Sequence, residues 1–229
     1  MKIKFVVSVG AKTIRELVNK ANLALDLGGD LVETRLDFLK ELNMKAFERE
    51  FSPLRKQLII TYRSMQEGGV VPINDFDRVD IILKLVSIIR PSFFDIELST
   101  IKRIKAIELN NYREESGLIV SWHNFNFTPT VHKLFQIYKE ANLLGDVIKI
   151  VPMANTYSDN SAIIKLYKLI PETDKKRVIA FCMGSRGIIS RFYQLLLDTL
   201  LTYTSLPGES VAEGQISIEE ARTLYESFY

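Results

Sequence analysis

Short runs of aliphatic and β-branched residues recur along the chain, each followed by a polar turn and a longer stretch with helical spacing of apolar positions. The runs fall at residues 3–9, 30–36, 57–63, 92–97, 117–122, 146–151, 177–182 and, most weakly, 202–206. Their length and composition predict buried strands, and the intervening periodicity predicts helices. Thr13 with Glu16, and Ser217 with Glu220, have capping-box spacing and predict helix starts. Thr128 before Pro129 predicts a cap followed by a proline in the first turn. Gly28 and Gly29 predict the end of the first helix. Eight strand–helix units in one undivided chain predict a single (β/α)8 TIM barrel over 1–229, an α/β fold with a closed parallel sheet. A doubly wound open sheet shares the local pattern, but no glycine-rich dinucleotide loop follows the first run.

Strands buried on both faces should be almost continuously apolar. Several of these are not: the second reads LVETRLD, the third ends TYR, the fourth ends DIE and the sixth is VIKIV. Alternation puts Glu33, Arg35 and Asp37 on one face, Thr61 with Arg63 on another, and Asp95 with Glu97 on a third. A buried ion network could merely fix register. Yet each unpaired buried ion costs several kcal/mol, and a paired network is seldom more stable than an apolar core. Most of these charges lie late in their strands, at the end where barrels of this kind carry their sites. That placement points to a pocket.

Lys149 stands between two isoleucines, with Val147 and Val151 on its own face. A lysine there is either salt-bridged or has its pKa lowered by desolvation. Lowering it from about 10.4 to about 7–8 would raise the neutral, nucleophilic fraction several-hundredfold. This is what a Schiff-base lysine requires. His123 follows the fifth strand directly and could take and return a proton near neutral pH. His132, within the helical stretch 129–143, reads as a surface or packing residue. Two further segments read as site loops. The turn EGG at 67–69 holds Glu67 near Arg63, and MGSRGIISR at 183–191 offers a glycine turn with Arg186 and Arg191 as clamps for an anion. Gln215 precedes the last predicted helix.

Composition narrows the field. Hydrophobic residues make up 47% of the 229, enough for one large core. With 30 basic and 28 acidic residues, the net charge of +2 favours neither a nucleic-acid nor a membrane surface. One cysteine, Cys182 in an apolar run, excludes an intramolecular disulfide and reads as core. Two histidines with no carboxylate at zincin spacing argue against a zinc site built by the protein. No apolar run reaches the ~20 residues of a membrane span, and the amino terminus reads as a strand rather than a secretory signal. A cytoplasmic protein is expected.

Together ETRLD (33–37), TYRSMQEGG (61–69), DIE (95–97), SWHNF with TP (121–125 and 128–129), VIKI (147–150), MGSRGIISR (183–191) and GQ (214–215) resemble the type I 3-dehydroquinate dehydratases. The segments run in family order over nearly the whole chain. The resemblance implies that Lys149 forms an imine with the ketone of 3-dehydroquinate in the shikimate pathway. It implies that His123 removes the C2 proton and returns it to the departing C1 hydroxyl, with Glu67 orienting the imidazole. Glu33, Arg35, Arg63 and, more weakly, Ser8 would hold ring hydroxyls, and Arg191 with Gln215 would bind the carboxylate. It implies no metal or diffusible cofactor, a small-molecule substrate and a homodimer.

The chain departs from the family before GQ, where a serine and a proline are usual. Val211 and Glu213 stand there, and Ser210 is one place out of register. A glycine-rich phosphate site after the seventh and eighth strands would point instead to a class I aldolase. An ordinary salt-bridged Lys149 would fit a non-catalytic barrel that binds a carboxylate.

Overall fold

The computed structural model describes residues 3–104 and 109–228. Its strands are β1 (Lys4–Gly10), β2 (Leu31–Arg35), β3 (Leu58–Thr61), β4 (Phe93–Glu97), β5 (Gly117–Asn124), β6 (Val147–Pro152), β7 (Val178–Ala180) and β8 (Leu201–Ser205). Around them lie α1 (Ile14–Asp26), α2 (Met44–Phe51), α3 (Asp75–Ile89), α4 (Leu98–Ile104), α5 (Val131–Asn142), α6 (Asn160–Leu169), α7 (Glu172–Lys175), α8 (Ile188–Leu196) and α9 (Ile218–Glu226). The sheet order is β7-β6-β5-β4-β3-β2-β1-β8, with every pairing parallel. At the remaining seam, between β7 and β8, the Leu200 N–H donates to the Lys176 carbonyl at 2.6 Å. This is a nearly closed (β/α)8 barrel, and each of the eight predicted runs overlaps one strand, with β1, β5 and β6 running one or two residues further and β8 starting one residue earlier.

Alternation along the strands separates two apolar regions. One face packs outward against the helices, as Val7, Ile60, Phe94, Val120 and Ile148 do. The other fills the barrel, where Val6, Leu31, Ile59, Ile119, Val147, Ile179 and Leu201 form its lower layer. Two residues further along each strand, the interior changes character. There stand Ser8, Glu33, Thr61, Asp95, Ser121, Lys149, Phe181 and Tyr203, all buried. The next inward positions include Arg35, Arg63, Glu97, His123, Val151 and Met183. The interior is thus dry and apolar below and ionic above on β2–β6, with an apolar wall on β7 and β8. Period-two geometry aims all these side chains at one end of the barrel.

Helix ends follow local chemistry, with two differences from expectation. Ser217 and Glu220 form the full capping box of α9. Thr13 caps α1, but Glu16 accepts from the Lys12 N–H rather than from Thr13, so that box is half formed. Gly28, at φ +92°, terminates α1 in the left-handed conformation. Thr128 does not cap α5. Its hydroxyl donates to the Met153 carbonyl at 2.6 Å, and the helix starts two residues later behind Thr130. His132 is exposed on α5, and Cys182 is buried. Among the described residues, no helix is long and apolar enough to cross a membrane.

Candidate active site

At the C-terminal ends of the strands lies a pocket of about 590 Å³. Ser8, Glu33, Arg35, Arg63, Glu67, His123, Lys149, Arg191 and Gln215 all line it. Phe125, Val151, Phe181, Met183, Tyr203, Val211 and Ala212 supply apolar wall. Strands β1, β2, β5 and β6, the segment after β3, helix α8 and the segment after β8 therefore bring these nine expected residues to one place, while Arg186 stays outside it.

The floor is an ionic chain. Lys149 Nζ lies 3.2 Å from Glu33 Oε1 and 3.6 Å from Asp95 Oδ2. Glu33 also accepts the Ser8 hydroxyl at 2.6 Å and the Thr61 hydroxyl at 3.0 Å. Arg63 grips Asp95 with two bonds, of 3.0 and 2.9 Å, and reaches Glu97 at 3.1 Å and the Ser121 hydroxyl at 2.6 Å. Glu97 is held from the far side by Arg78 of α3 at 2.8 Å and by Thr100. The charges alternate, so each buried ion has a counterion and the desolvation penalty is shared rather than borne singly.

This packing tunes the groups. Burial pushes the Lys149 amine below its ordinary pKa, against the opposing pull of Glu33 and Asp95, and the nearby Arg63 cation pushes the same way as burial. Burial works to raise Glu33, but the cations of Lys149, Arg35 and Arg63 hold it down to about 2. Burial pushes His123 well down, aided by Arg63, Lys149 and Arg35, so its imidazole is neutral. Burial and the neighbouring Glu97 raise Glu67 to about 7. The four therefore supply a depressed amine, a fixed anion, a neutral imidazole and a carboxyl that titrates near neutrality.

Glu67 lies in a tight turn (Met65–Glu67) closed by Gly68 at φ +88°. Its Oε2 accepts the His123 backbone N–H at 2.8 Å and sits 3.1 Å from the ring Nδ1. With Glu67 ionised this geometry puts the proton on Nδ1 and leaves Nε2 as a lone-pair base. The turn is fixed rather than loose. The Gly69 N–H donates to the Ser64 carbonyl at 2.8 Å, and a Cβ at Gly69 would meet the Arg63 carbonyl oxygen at 2.1 Å.

Arg191 lies in the first turn of α8, only 2% exposed, with its guanidinium 4.0 Å from the Phe181 ring centre. Nη1 donates to the Tyr203 carbonyl at 3.3 Å, and Nε has no partner among the described residues. Burial lowers its pKa to about 10. A buried guanidinium so lightly bonded is ready for an anion entering the pocket. Arg186 is not a clamp: it points away, donating to the Asn155 carbonyl at 2.7 Å. Two donors around the start of α8 are also taken. The Gly187 N–H bonds the Gly184 carbonyl and the Ser190 N–H bonds Asn160. Beside these satisfied donors, the Arg191 Nε–H is left without a partner among the described residues.

The segment after β8 arches over this end. Gln215 Oε1 accepts the N–H groups of Val211 and Ala212 at 3.0 and 3.2 Å, which shapes the arch. The Glu213 side chain is exposed and does not line the pocket. Its backbone carbonyl instead accepts the Gly184 N–H at 3.0 Å. Ser210 faces a separate hollow with Glu209 and Lys20. Arg35 is bound twice to Asp37, at 2.9 and 2.8 Å, because the chain leaves β2 after Arg35 in a tight turn. Asp37 therefore folds back on Arg35 instead of continuing along the strand face.

Sequence reasoning missed Tyr203, which lies beneath Lys149, Ser121, which bridges Arg63 and Asp95, and Ser99, which donates to Glu67 at 2.7 Å. The period-two rule would have put Ser121 inward from its neighbour His123.

A family model, two relatives and a solved structure match nearly the whole chain. A family model described as Type I 3-dehydroquinase matches residues 5–229. A 3-dehydroquinate dehydratase of Thermococcus gammatolerans is 34% identical over 218 residues, 94% of each chain. One from Pyrococcus abyssi is 32% identical over 215 residues, 93% of each chain. The crystal structure of the 3-dehydroquinate dehydratase from Aquifex aeolicus VF5 superposes with a TM-score of 0.79 at 28% identity, covering 99% of both chains.

Proposed function

From the premise that the chain belongs to the type I 3-dehydroquinase family, we propose that its pocket joins Lys149 to the ketone of 3-dehydroquinate as an imine. The chain is a hydro-lyase that converts 3-dehydroquinate to 3-dehydroshikimate in the shikimate pathway. The observation that carries the residue assignment is Lys149 itself. Among the described residues it is the one lysine lining the pocket, its pKa is lowered by burial, and Glu33 and Asp95 border it.

The neutral amine adds to the ketone carbon. With uptake of a proton, water leaves, and the nitrogen becomes an iminium. The iminium draws electrons from the adjacent carbon and makes the C2 proton acidic. His123, neutral and held at Nδ1 by Glu67, takes this proton on Nε2, and the electron pair forms an enamine. Collapse of the enamine re-forms the iminium and expels the C1 hydroxyl, which leaves as water with the proton from His123. Hydrolysis of the iminium frees the product and restores Lys149. Arg191 pairs with the substrate carboxylate, and Gln215 closes the same end. Glu33, Arg35 and Ser8 face the ring hydroxyls. Arg63, whose guanidinium is largely taken up by Asp95, Glu97 and Ser121, acts chiefly by holding those carboxylates in place. No metal or diffusible cofactor takes part. The protein works in the cytoplasm as a homodimer, which light scattering of the purified chain tests directly.

The deciding experiment is reductive trapping. Incubation with 3-dehydroquinate and cyanoborohydride, followed by peptide mass mapping, is expected to place the adduct on Lys149. An adduct on another lysine, or none despite turnover, overturns the assignment.

A further inference from the structure

Tyr203 stands on β8 in the same interior layer as Lys149, and only 2% of it is exposed. Lys149 Nζ lies over its ring, 3.7 Å from the centre. Its hydroxyl is buried and has no hydrogen-bond partner among the described residues, so the ring face is what it offers the pocket. The backbone carbonyl of the same residue accepts Arg191 Nη1 at 3.3 Å. Tyr203 therefore touches the nucleophile with its ring and the anion clamp with its main chain.

An aromatic face attracts a cation through its quadrupole, most strongly where water is excluded, and has little preference for a neutral amine. The other charged groups around this nitrogen are Glu33 on β2, Asp95 on β4 and Arg63 beyond β3. The nearest inward neighbours on β5 and β7, Ser121 and Ile179, are uncharged, and His123 further along β5 is neutral. The reaction changes what each neighbour can do. An ammonium has three N–H groups, enough for both carboxylates. An iminium has one, so hydrogen bonding to at least one carboxylate is lost. Contact with a ring face needs no N–H and survives the change.

We propose that Tyr203 is a positioning residue for the imine, its ring being the seat that keeps the Lys149 nitrogen cationic after two of its three N–H groups are gone. The proposal rests on the Lys149 imine reading. It distinguishes the Tyr203 ring, which acts on charge at the Lys149 nitrogen, from the Phe181 ring, which lies against Arg191 instead.

The test holds shape constant and varies the quadrupole. Tyr203→Phe serves as parent, and mono-, di- and trifluorophenylalanine are then installed at position 203. The readout is the pH dependence of the Lys149 adduct trapped by cyanoborohydride at saturating 3-dehydroquinate. Each fluorine should move the alkaline limb to lower pH. The full series should shift it by about one unit, a tenfold loss of adduct on that limb, equivalent to ~1.4 kcal/mol. Loss of adduct at every pH with an unmoved limb would mean the residue only packs, and overturns the seat. A limb indifferent to fluorination does the same. If the unaltered chain yields no Lys149 adduct at all, the imine reading fails and the seat with it, an outcome separable from the other two.

Discussion

The Ser99 hydroxyl donates to Oε1 of Glu67 at 2.7 Å, from the first turn of α4 to the side of the carboxylate that His123 leaves open. The other oxygen, Oε2, is engaged by both His123 groups. Ser99 thus fixes the plane of the carboxylate and favours its ionised form. Ser99→Ala should raise the Glu67 pKa further. The acid limb of kcat/KM then moves to higher pH, with a severalfold loss at pH 7 that is recovered at higher pH. Ser99→Thr keeps the hydroxyl and should hold the limb in place. A uniform loss across pH would count against this role.

The Glu67–His123 pair predicts the pH dependence of catalysis. Burial and the charge of Glu97 raise Glu67 to about 7, while Arg63, Ser99 and the His123 N–H oppose them. Below that value the carboxyl is protonated and no longer accepts a proton-bearing Nδ1, so Nε2 loses its role as base. Above it the carboxylate holds Nδ1–H and Nε2 is free. Because His123 is itself pushed well down, its own protonation does not set this limb. Activity should be present above about pH 7 and fall as pH drops through it, with an apparent value belonging to the pair. In Glu67→Gln the limb should vanish and kcat drop by roughly 10²-fold. Pre-steady-state pH profiles for both proteins check this.

The sequence already displayed the site's most expensive features. A lysine inside VIKIV and carboxylates inside DIE conflict with burial on both faces, and that conflict marks the pocket. Alternation then gave the correct face for Lys149, Glu33 and Asp95. What it could not give was the pairing. Arg35, Arg63 and Arg191 look alike in a sequence, yet the first is tied to Asp37 and the second to Asp95 and Glu97, while the third has one carbonyl. Those differences depend on cross-barrel distances between strands far apart in the chain. Tyr203 was hidden for a related reason: an aromatic in the weakest predicted strand looks like core until Lys149 is seen lying over it. Arg186 erred in the opposite direction, since a turn rich in glycine suggests free donors that Gly184 and Asn160 already satisfy.

The isolation of Arg191 predicts opposed effects on binding and stability. A buried guanidinium with one 3.3 Å bond and an unpartnered Nε is costly in the free protein. The substrate carboxylate would make up the missing partner. Arg191→Met should therefore raise KM by roughly 10²-fold or more, the scale of a charge-assisted pair of about 3 kcal/mol, while leaving Tm unchanged or higher. Arg191→Lys keeps a charge but loses the fork and should fall between the two in KM. Steady-state kinetics with thermal melts test both parts, and a strongly lowered Tm in the Met variant would argue that the residue is structural.

Gly214 separates substrate capture from chemistry. It adopts φ +75°, and a Cβ there would stand 2.4 Å from the Gly184 carbonyl oxygen. The arch bearing Val211, Ala212 and Gln215 rests on that contact, and Glu209 ties its start to Lys20 of α1 at 2.7 Å. Lys149, His123 and Glu67 lie elsewhere, on β6, β5 and the turn after β3. Gly214→Ala should lift the arch and raise KM about tenfold or more, with Lys149 trapping at saturating substrate nearly unchanged. Gly214→Asn discriminates the cause. Asparagine tolerates a positive φ, so it should restore binding if backbone strain alone matters. It carries the same Cβ, so it should fail as alanine does if close approach to Gly184 matters, and the 2.4 Å separation predicts failure.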